Sequence, residues 1–437
     1  MREDFLHFIW RYQKLNGLDL RTSGGEPLAV VYPGDPNPHG GPDFLNARIR
    51  IGETLWVGNV EIHVHASDWQ VHRHDADAAY DNVILHVVFQ EDKPVYRKNG
   101  ERLLCLELQR RILPGVRAAY YRLLNDKAHG IPCRPQFFEV GASVRTLWVE
   151  RVAIERLERR VVRFRDLLER NGQNWEETFF QVLARNLGQP ANADPFEELA
   201  RSTPIGLLRR KRDDLFQLEA LLFGQSGLLD GEQEVGYPQD LRKEYAFLRR
   251  QYQLKPMEKS VWKFLRMRPA NFPTLRIAQL ARFVHQTEHP FDKAMSAGSI
   301  KEYEHLFELS VSQYWRTHYL FGQAESAPKD KVLGRTTVRQ LLVNTIAPLL
   351  FLYGEFRQSK RYLDQAVALL AALPPEDNRI VREWVAMGFR PDTALQSQGL
   401  IQLKKEYCDT RRCLHCAIGH ALLQGSDPEA DQSGGNI

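Results

Sequence analysis

The sequence has no long apolar run, no basic-then-apolar leader, little net charge and only five cysteines. Each shortage excludes something. No stretch approaches the length that crosses a bilayer, so no membrane span is expected. The N-terminus, MREDFLHFIWRYQKL, does not read as a secretory leader, and a cytoplasmic location is the resulting expectation. A net charge of +4, from 59 basic and 55 acidic residues, neither demands nor excludes nucleic acid. A local patch counts for more than the total. An odd number of cysteines argues against a disulfide framework.

What is present describes a globular chain of more than one domain. At 437 residues it is too long for one ordinary core, and 43% hydrophobic with 26% charged residues is a soluble composition. Residues 3–15 read as a short amphipathic helix, with Phe5, Phe8, Ile9 and Tyr12 on its apolar side. Strands are expected near 28–32, 45–51, 55–65, 83–89 and 103–109, with connections such as EDKPVYRKNGE read as hairpin turns. From about 114 the period becomes helical. Residues 144–171 read as one long amphipathic helix, followed by WEETFFQVLARNLG closed at Gly188. The expected fold class is α+β: a mixed-sheet domain over 1–113, a large all-α region over 114–423, and a disordered polar tail over 424–437.

The densest chemistry lies between Gly41 and Val88. Alternate residues of a strand share a face, so Glu61, His63 and His65 should project together, with Asp43 on the neighbouring strand. Two carboxylates on adjacent strands can hold Mg²⁺ or Mn²⁺ through oxygen ligands. Such an ion would orient a water and stabilise charge on a phosphate. A second reading places Zn²⁺ or Fe²⁺ on Glu61, His63, His65 and His86. His86 sits inside the apolar strand VILHVVF, where an unpaired polar group is costly. Asp68, His72 and His74 in SDWQVHRHD are further candidates for the site. A bland account also exists, in which the Glu/His alternation is the wet face of a half-exposed sheet.

The spacing of Pro42-Asp43 and Glu61-Ile62-His63 resembles the PD-(D/E)XK nuclease superfamily, with His63 at the lysine position. The resemblance implies a restriction-endonuclease-like sheet domain with Asp43, Glu61 and His63 as catalytic residues. It also implies a core helix in residues 66–82, only the end of which looks helical here.

Cys408, Cys413 and Cys416 fall within nine residues, a spacing that lets thiolates share one metal centre. The fourth ligand is left open between remote Cys133 and local His415 or His420. Cys133 would make an all-cysteine site for [4Fe–4S] or structural Zn²⁺, whereas His420 would favour Zn²⁺. Several nucleases of the resembled superfamily join one remote cysteine to three grouped ones, which favours Cys133. Cys105 reads as plain core.

In the helical region, WKFLRMRPANFPTLRIAQLARFVHQ mixes Lys263, Arg266, Arg268 and Arg276 with aromatics, a pattern that can track a nucleic-acid strand. An arginine-rich helical surface is the simpler account. Taken in order, GPDFLNARI, GNVEIHVHASDW, YDNVILHVV, FEELA, LEALLFGQSGLL, RMRPANFPTLRIAQLA and CLHCAIG resemble the bacterial family called domain of unknown function 2851. That family implies no established activity. The expectation is therefore a metal-dependent nuclease or phosphodiesterase acting on nucleic acid. A Zn²⁺- or Fe²⁺-dependent enzyme is the first alternative, and a non-catalytic nucleic-acid-binding scaffold is the second.

Overall fold

A computed structural model describes residues 1–125, 130–230, 236–324 and 327–424. The tail expected beyond Gln424 lies outside them. The chain is α+β, as expected, and divides into two units. One comprises Met1–Trp148 and the segment from Leu403 onward; the other is Val149–Gln402. The boundary drawn after residue 113 is therefore displaced, because the last segment returns to the first unit, a long-range association that local periodicity does not carry. Among the described residues no helix is long and apolar enough to cross a membrane.

The first unit opens with α1 (Glu3–Arg11), four residues shorter than the periodicity suggests. Glu3 and Asp4 in its first turn and Arg11 in its last complement the helix dipole. Phe5, Leu6, Phe8, Ile9 and Trp10 are buried. The sheet contains β1 (Leu28–Tyr32), β2 (Asp35–Pro36), β3 (Phe44–Ile51), β4 (Thr54–His65), β5 (Val83–Gln90) and β6 (Cys105–Glu107). Its order is β1-β3-β4-β5-β6, with β2 beside β3. β1, β3 and β4 pair antiparallel, whereas β4–β5 and β5–β6 are parallel. The EDKPVYRKNGE connection is therefore not a hairpin between β5 and β6. Parallel neighbours need a crossover, and its local turn closes only the bridge Tyr96↔Arg102.

Two irregularities set the register of the central strands. Asn46 is left-handed (φ 59°), within the bulge between Phe44 and Ala47 of β3. Such bulges redirect a strand end. Gly58 of β4 lies so close to β5 that a Cβ would sit 2.7 Å from the Asn82 carbonyl oxygen. The register shifts immediately after it, between Asn59 and Val60, and then aligns Glu61 with His86. The expected core helix is reduced to α2 (Asp68–Val71) and a 3₁₀ turn at Ala78–Tyr80, with helix at the start of the segment as well as at its end. The helix α3 (Pro114–Asn125) packs against the C-terminal helix Ala417–Gln424.

The second unit is helical around one large apolar core, apart from a short ribbon, His318–Leu320 with Gln323–Ala324. The long helix spans Ala142–Arg170, and Trp175–Leu187 follows, started by the Asn174 side chain and ended at Gly188 as expected.

Candidate metal centre

β4 delivers Glu61 and His63 to one face of the sheet, and both are buried, at 5% and 1% exposure. His86 of β5 is Glu61's partner in register, and its Nε2 lies 2.8 Å from His63 Nδ1. His63 therefore presents Nε2 outward, 3.1 Å from His72 Nδ1 and 3.6 Å from Glu61 Oε1. His74 Nε2 is 3.3 Å from the same Glu61 oxygen. Ring nitrogens of His63, His72 and His74 all lie within 4.8 Å of one another. His63 is buried, His74 half-buried and His72 exposed, so the group opens to solvent on the His72 side.

The loop after α2 brings these rings back. Asp68 Oδ2 accepts from the His65 N–H at 3.0 Å, turning the chain as β4 ends. Arg73, left-handed at φ 59°, separates His72 from His74 and lets both face the strand. Trp69 and Tyr80 wedge the imidazoles: Tyr80 stacks on His74 at 3.8 Å, and the Trp69 ring lies 5.3 Å from both His74 and His86. His65 is exposed at the strand's last position and stays outside the group. Of the expected quartet of Glu61, His63, His65 and His86, the fold leaves His65 outside the group and brings His72 and His74 to Glu61 and His63. His86 stands behind His63, and Asp68 makes the turn.

Asp43 locks onto the same strand. Its Oδ2 accepts from Ile62 N at 2.9 Å, and its own N–H donates to Glu61 Oε2 at 3.1 Å. From α1, His7 Nε2 reaches Asp43 Oδ2 at 3.3 Å, and Glu3 lies within electrostatic range of Asp43, His7 and His72. Neither Glu3 nor His7 carries a sequence signal, because only the docking of α1 brings them here.

The electrostatics describe a site short of positive charge. Burial, then Asp43 and Glu3, push the Glu61 carboxyl up to about 9, although the Asp43 N–H works against this. Burial, then the surrounding imidazoles, push His63 down to about 2, and burial with His74 takes His86 to about 3. His74 is also lowered, by burial and then His72. For His7, burial lowers the pKa, but the bond to Asp43 and nearby acids outweigh it, so the net shift is upward. Neutral imidazoles are the form that binds metal. His74 Nε2 is buried and, although close to Glu61, makes no hydrogen bond. An unsatisfied nitrogen beside a carboxylate is what a shared cation would resolve. Three nitrogens and one oxygen suit Mn²⁺, Fe²⁺ or Zn²⁺ better than Mg²⁺. Among the described residues, Glu176, His289 and Asp292 meet the same spacing. That group is largely exposed, and Glu176 already accepts from Phe291 N at 3.1 Å.

A cavity of about 880 Å³ adjoins the centre through Trp69, His74 and Tyr80, with Trp56, Arg97, Lys98 and Arg102 among its other lining residues. Trp56 is 41% exposed. In the second unit, Lys263, Arg266 and Arg268 are exposed. Arg276 is corrected: it is buried and gives its guanidinium to Gln279, Asn271 and Thr337. Trp262 is likewise buried, donating to the Ser226 carbonyl, so it offers no face to a base.

Cys133, Cys408, Cys413 and Cys416 all belong to the first unit, and all are buried and free of disulfides. His420 turns away from them, with Nε2 2.8 Å from the Leu414 carbonyl and its ring against Phe8 and Tyr12. His415 is exposed. Cys105 is buried core of β6.

Neither the curated proteins nor the solved structures contain a match to this chain. A family model does match, over residues 3–379, and the chain belongs to that family, described as protein of unknown function (DUF2851).

Proposed function

We propose that this chain is a metal-dependent phosphodiesterase that cleaves nucleic acid. The observation that carries the proposal is the meeting of Asp43 with Glu61, next to His63 on β4. Asp43 stands at the head of β3, bonded to Ile62 N, while Glu61 and His63 flank Ile62 on β4. Leaving aside the two-residue β2, the order helix, three antiparallel strands, short helix and parallel strand resembles that expected of a PD-(D/E)XK nuclease with His63 in place of lysine. A bound divalent ion would supply an activated water and charge stabilisation at the phosphate. Glu61, His63, His72 and His74 would hold it, and Asp43 would share it or fix Glu61. The neighbouring cavity supports a nucleic-acid substrate, because Trp56 offers a stacking face and Lys98 offers charge to a phosphate backbone.

A second reading has its own support. Three imidazoles around one carboxylate oxygen also suit a Zn²⁺- or Fe²⁺-dependent enzyme whose substrate is not nucleic acid. One experiment separates the two. The full chain is stripped with a chelator, reloaded with Mn²⁺, Mg²⁺ or Zn²⁺, and assayed on single- and double-stranded DNA and RNA. The expected result is Mn²⁺-dependent cleavage, lost by at least about 100-fold in Asp43→Ala and in Glu61→Ala. Tight Zn²⁺ or Fe²⁺ retention without cleavage would favour the second reading. Binding of nucleic acid without turnover under any metal would favour a scaffold.

A further inference from the structure

A single tetrahedral ion bound by thiolates at about 2.3 Å keeps its sulfurs within about 3.8 Å of one another. The four buried cysteines are more open than that. Among the described residues, no three of their sulfurs lie within 4.8 Å of one another. They are nonetheless neighbours. Cys408 lies within electrostatic range of Cys133, Cys413 and Cys416, and Cys133 within range of Cys413 and Cys416.

The backbone fixes this arrangement. Cys408 ends a π-helical turn, Lys404–Cys408, of the kind often found at functional sites. That turn touches the 3₁₀ helix Cys413–His415. The C-terminal helix Ala417–Gln424 packs on Arg134–Glu139, the 3₁₀ helix that begins directly after Cys133. Gly419 lets the helix lie against the Cys413 carbonyl, where any Cβ would collide.

We propose that Cys133, Cys408, Cys413 and Cys416 hold a [4Fe–4S] cluster. Each thiolate of such a cluster takes its own iron, so the sulfurs stand farther apart than around one ion. The surroundings suit anionic sulfur. The buried indole N–H of Trp148 has no hydrogen-bond partner and lies near Cys416. Arg411 places positive charge near Cys413. With the cluster bound, the segment after Leu403 is pinned to the first unit after the chain's excursion through Val149–Gln402. Closing so long a loop is a large constraint on the unfolded chain. Three of the four ligands lie beyond residues 3–379, so the family match does not cover them.

A small cavity of about 250 Å³, lined by Trp148, His415, Cys416 and His420, gives oxygen a route to one corner. The test is therefore anaerobic. Full-length protein is purified without oxygen and analysed for iron, acid-labile sulfide, zinc and visible absorption. The expected result is about four iron and four sulfide per chain with a broad cluster absorption. Stoichiometric zinc without sulfide, or no metal at all, overturns the proposal. Cys133→Ser and Cys408→Ser should each lose the absorption, whereas Cys105→Ser should keep it. A full cluster in Cys133→Ser would overturn the assignment of that ligand. If that variant fails to fold, the iron and sulfide content of the native chain still decides. The result is independent of whether the protein cleaves nucleic acid.

Discussion

His86 Nε2 and His63 Nδ1 face each other at 2.8 Å in the interior of the sheet, both rings sealed from solvent. For His63 to bind a cation through Nε2, its hydrogen must sit on Nδ1 and be donated to His86. His86 then carries its own hydrogen on Nδ1, which is buried and without a partner. On the proposed metal-binding reading, that unsatisfied donor in the strand interior accompanies the tautomer in which His63 would hold the ion. His86→Leu removes the acceptor at similar volume. Mn²⁺ affinity, followed by calorimetry, should fall by about 10–100-fold with the fold intact. His86→Gln, which keeps an acceptor, should recover part of it. Unchanged affinity in His86→Leu would remove the positioning role.

Gly58 offers a second handle on the same centre. Its replacement by alanine drives a methyl group into Asn82 and Ile84 of the adjoining segment. Overpacking of this kind costs about 1–3 kcal/mol. Gly58 also precedes the register shift that aligns Glu61 with His86, so the damage should reach the site. The expected outcome is a lower urea midpoint together with weaker Mn²⁺ binding. Gly141→Ala serves as control, since nothing lies within 4 Å of where its new methyl group would sit and its midpoint should hardly move. Equal midpoints for the two variants would contradict the steric argument.

How legible the site was depended on how local its causes are. Glu61 and His63 followed from the alternation of β4, and Asp43 from its turn, because each is a property of one short segment. His86 stood out as a polar group in an apolar strand, but its purpose needed the parallel pairing that no periodicity announces. His65 was misplaced because alternation holds only while the strand lasts, and β4 ends there. For His72 and His74 a one-turn helix and a left-handed Arg73 decide where they point, and neither shows in the local pattern. Glu3 and His7 were invisible because α1 meets Asp43 only in three dimensions. The same distinction governs the fold. Strands and long helices were readable from period, whereas the return of residues after Leu403 to the first unit was not.

Glu219 makes the second unit's stability depend on pH. It is fully buried, and its Oε2 accepts from Tyr237, from Ser312 at 3.2 Å and from Trp315 at 3.3 Å, while Oε1 has no partner. Burial raises its pKa to about 7, although the three donors pull the other way. A carboxyl with a raised folded pKa binds more protons in the folded than in the unfolded state between those two values. Stability from this group is therefore full below the ordinary value of 4.5 and falls as pH rises to about 7, then stays flat. The whole change is about 3 kcal/mol. Glu219→Gln cannot ionise and should lack it. Urea midpoints of both proteins at pH 5 and pH 8 cancel contributions from every other titrating group. The native protein should lose ground to the variant as pH rises. A difference that stays constant between the two pH values would mean that Glu219 does not titrate in this range.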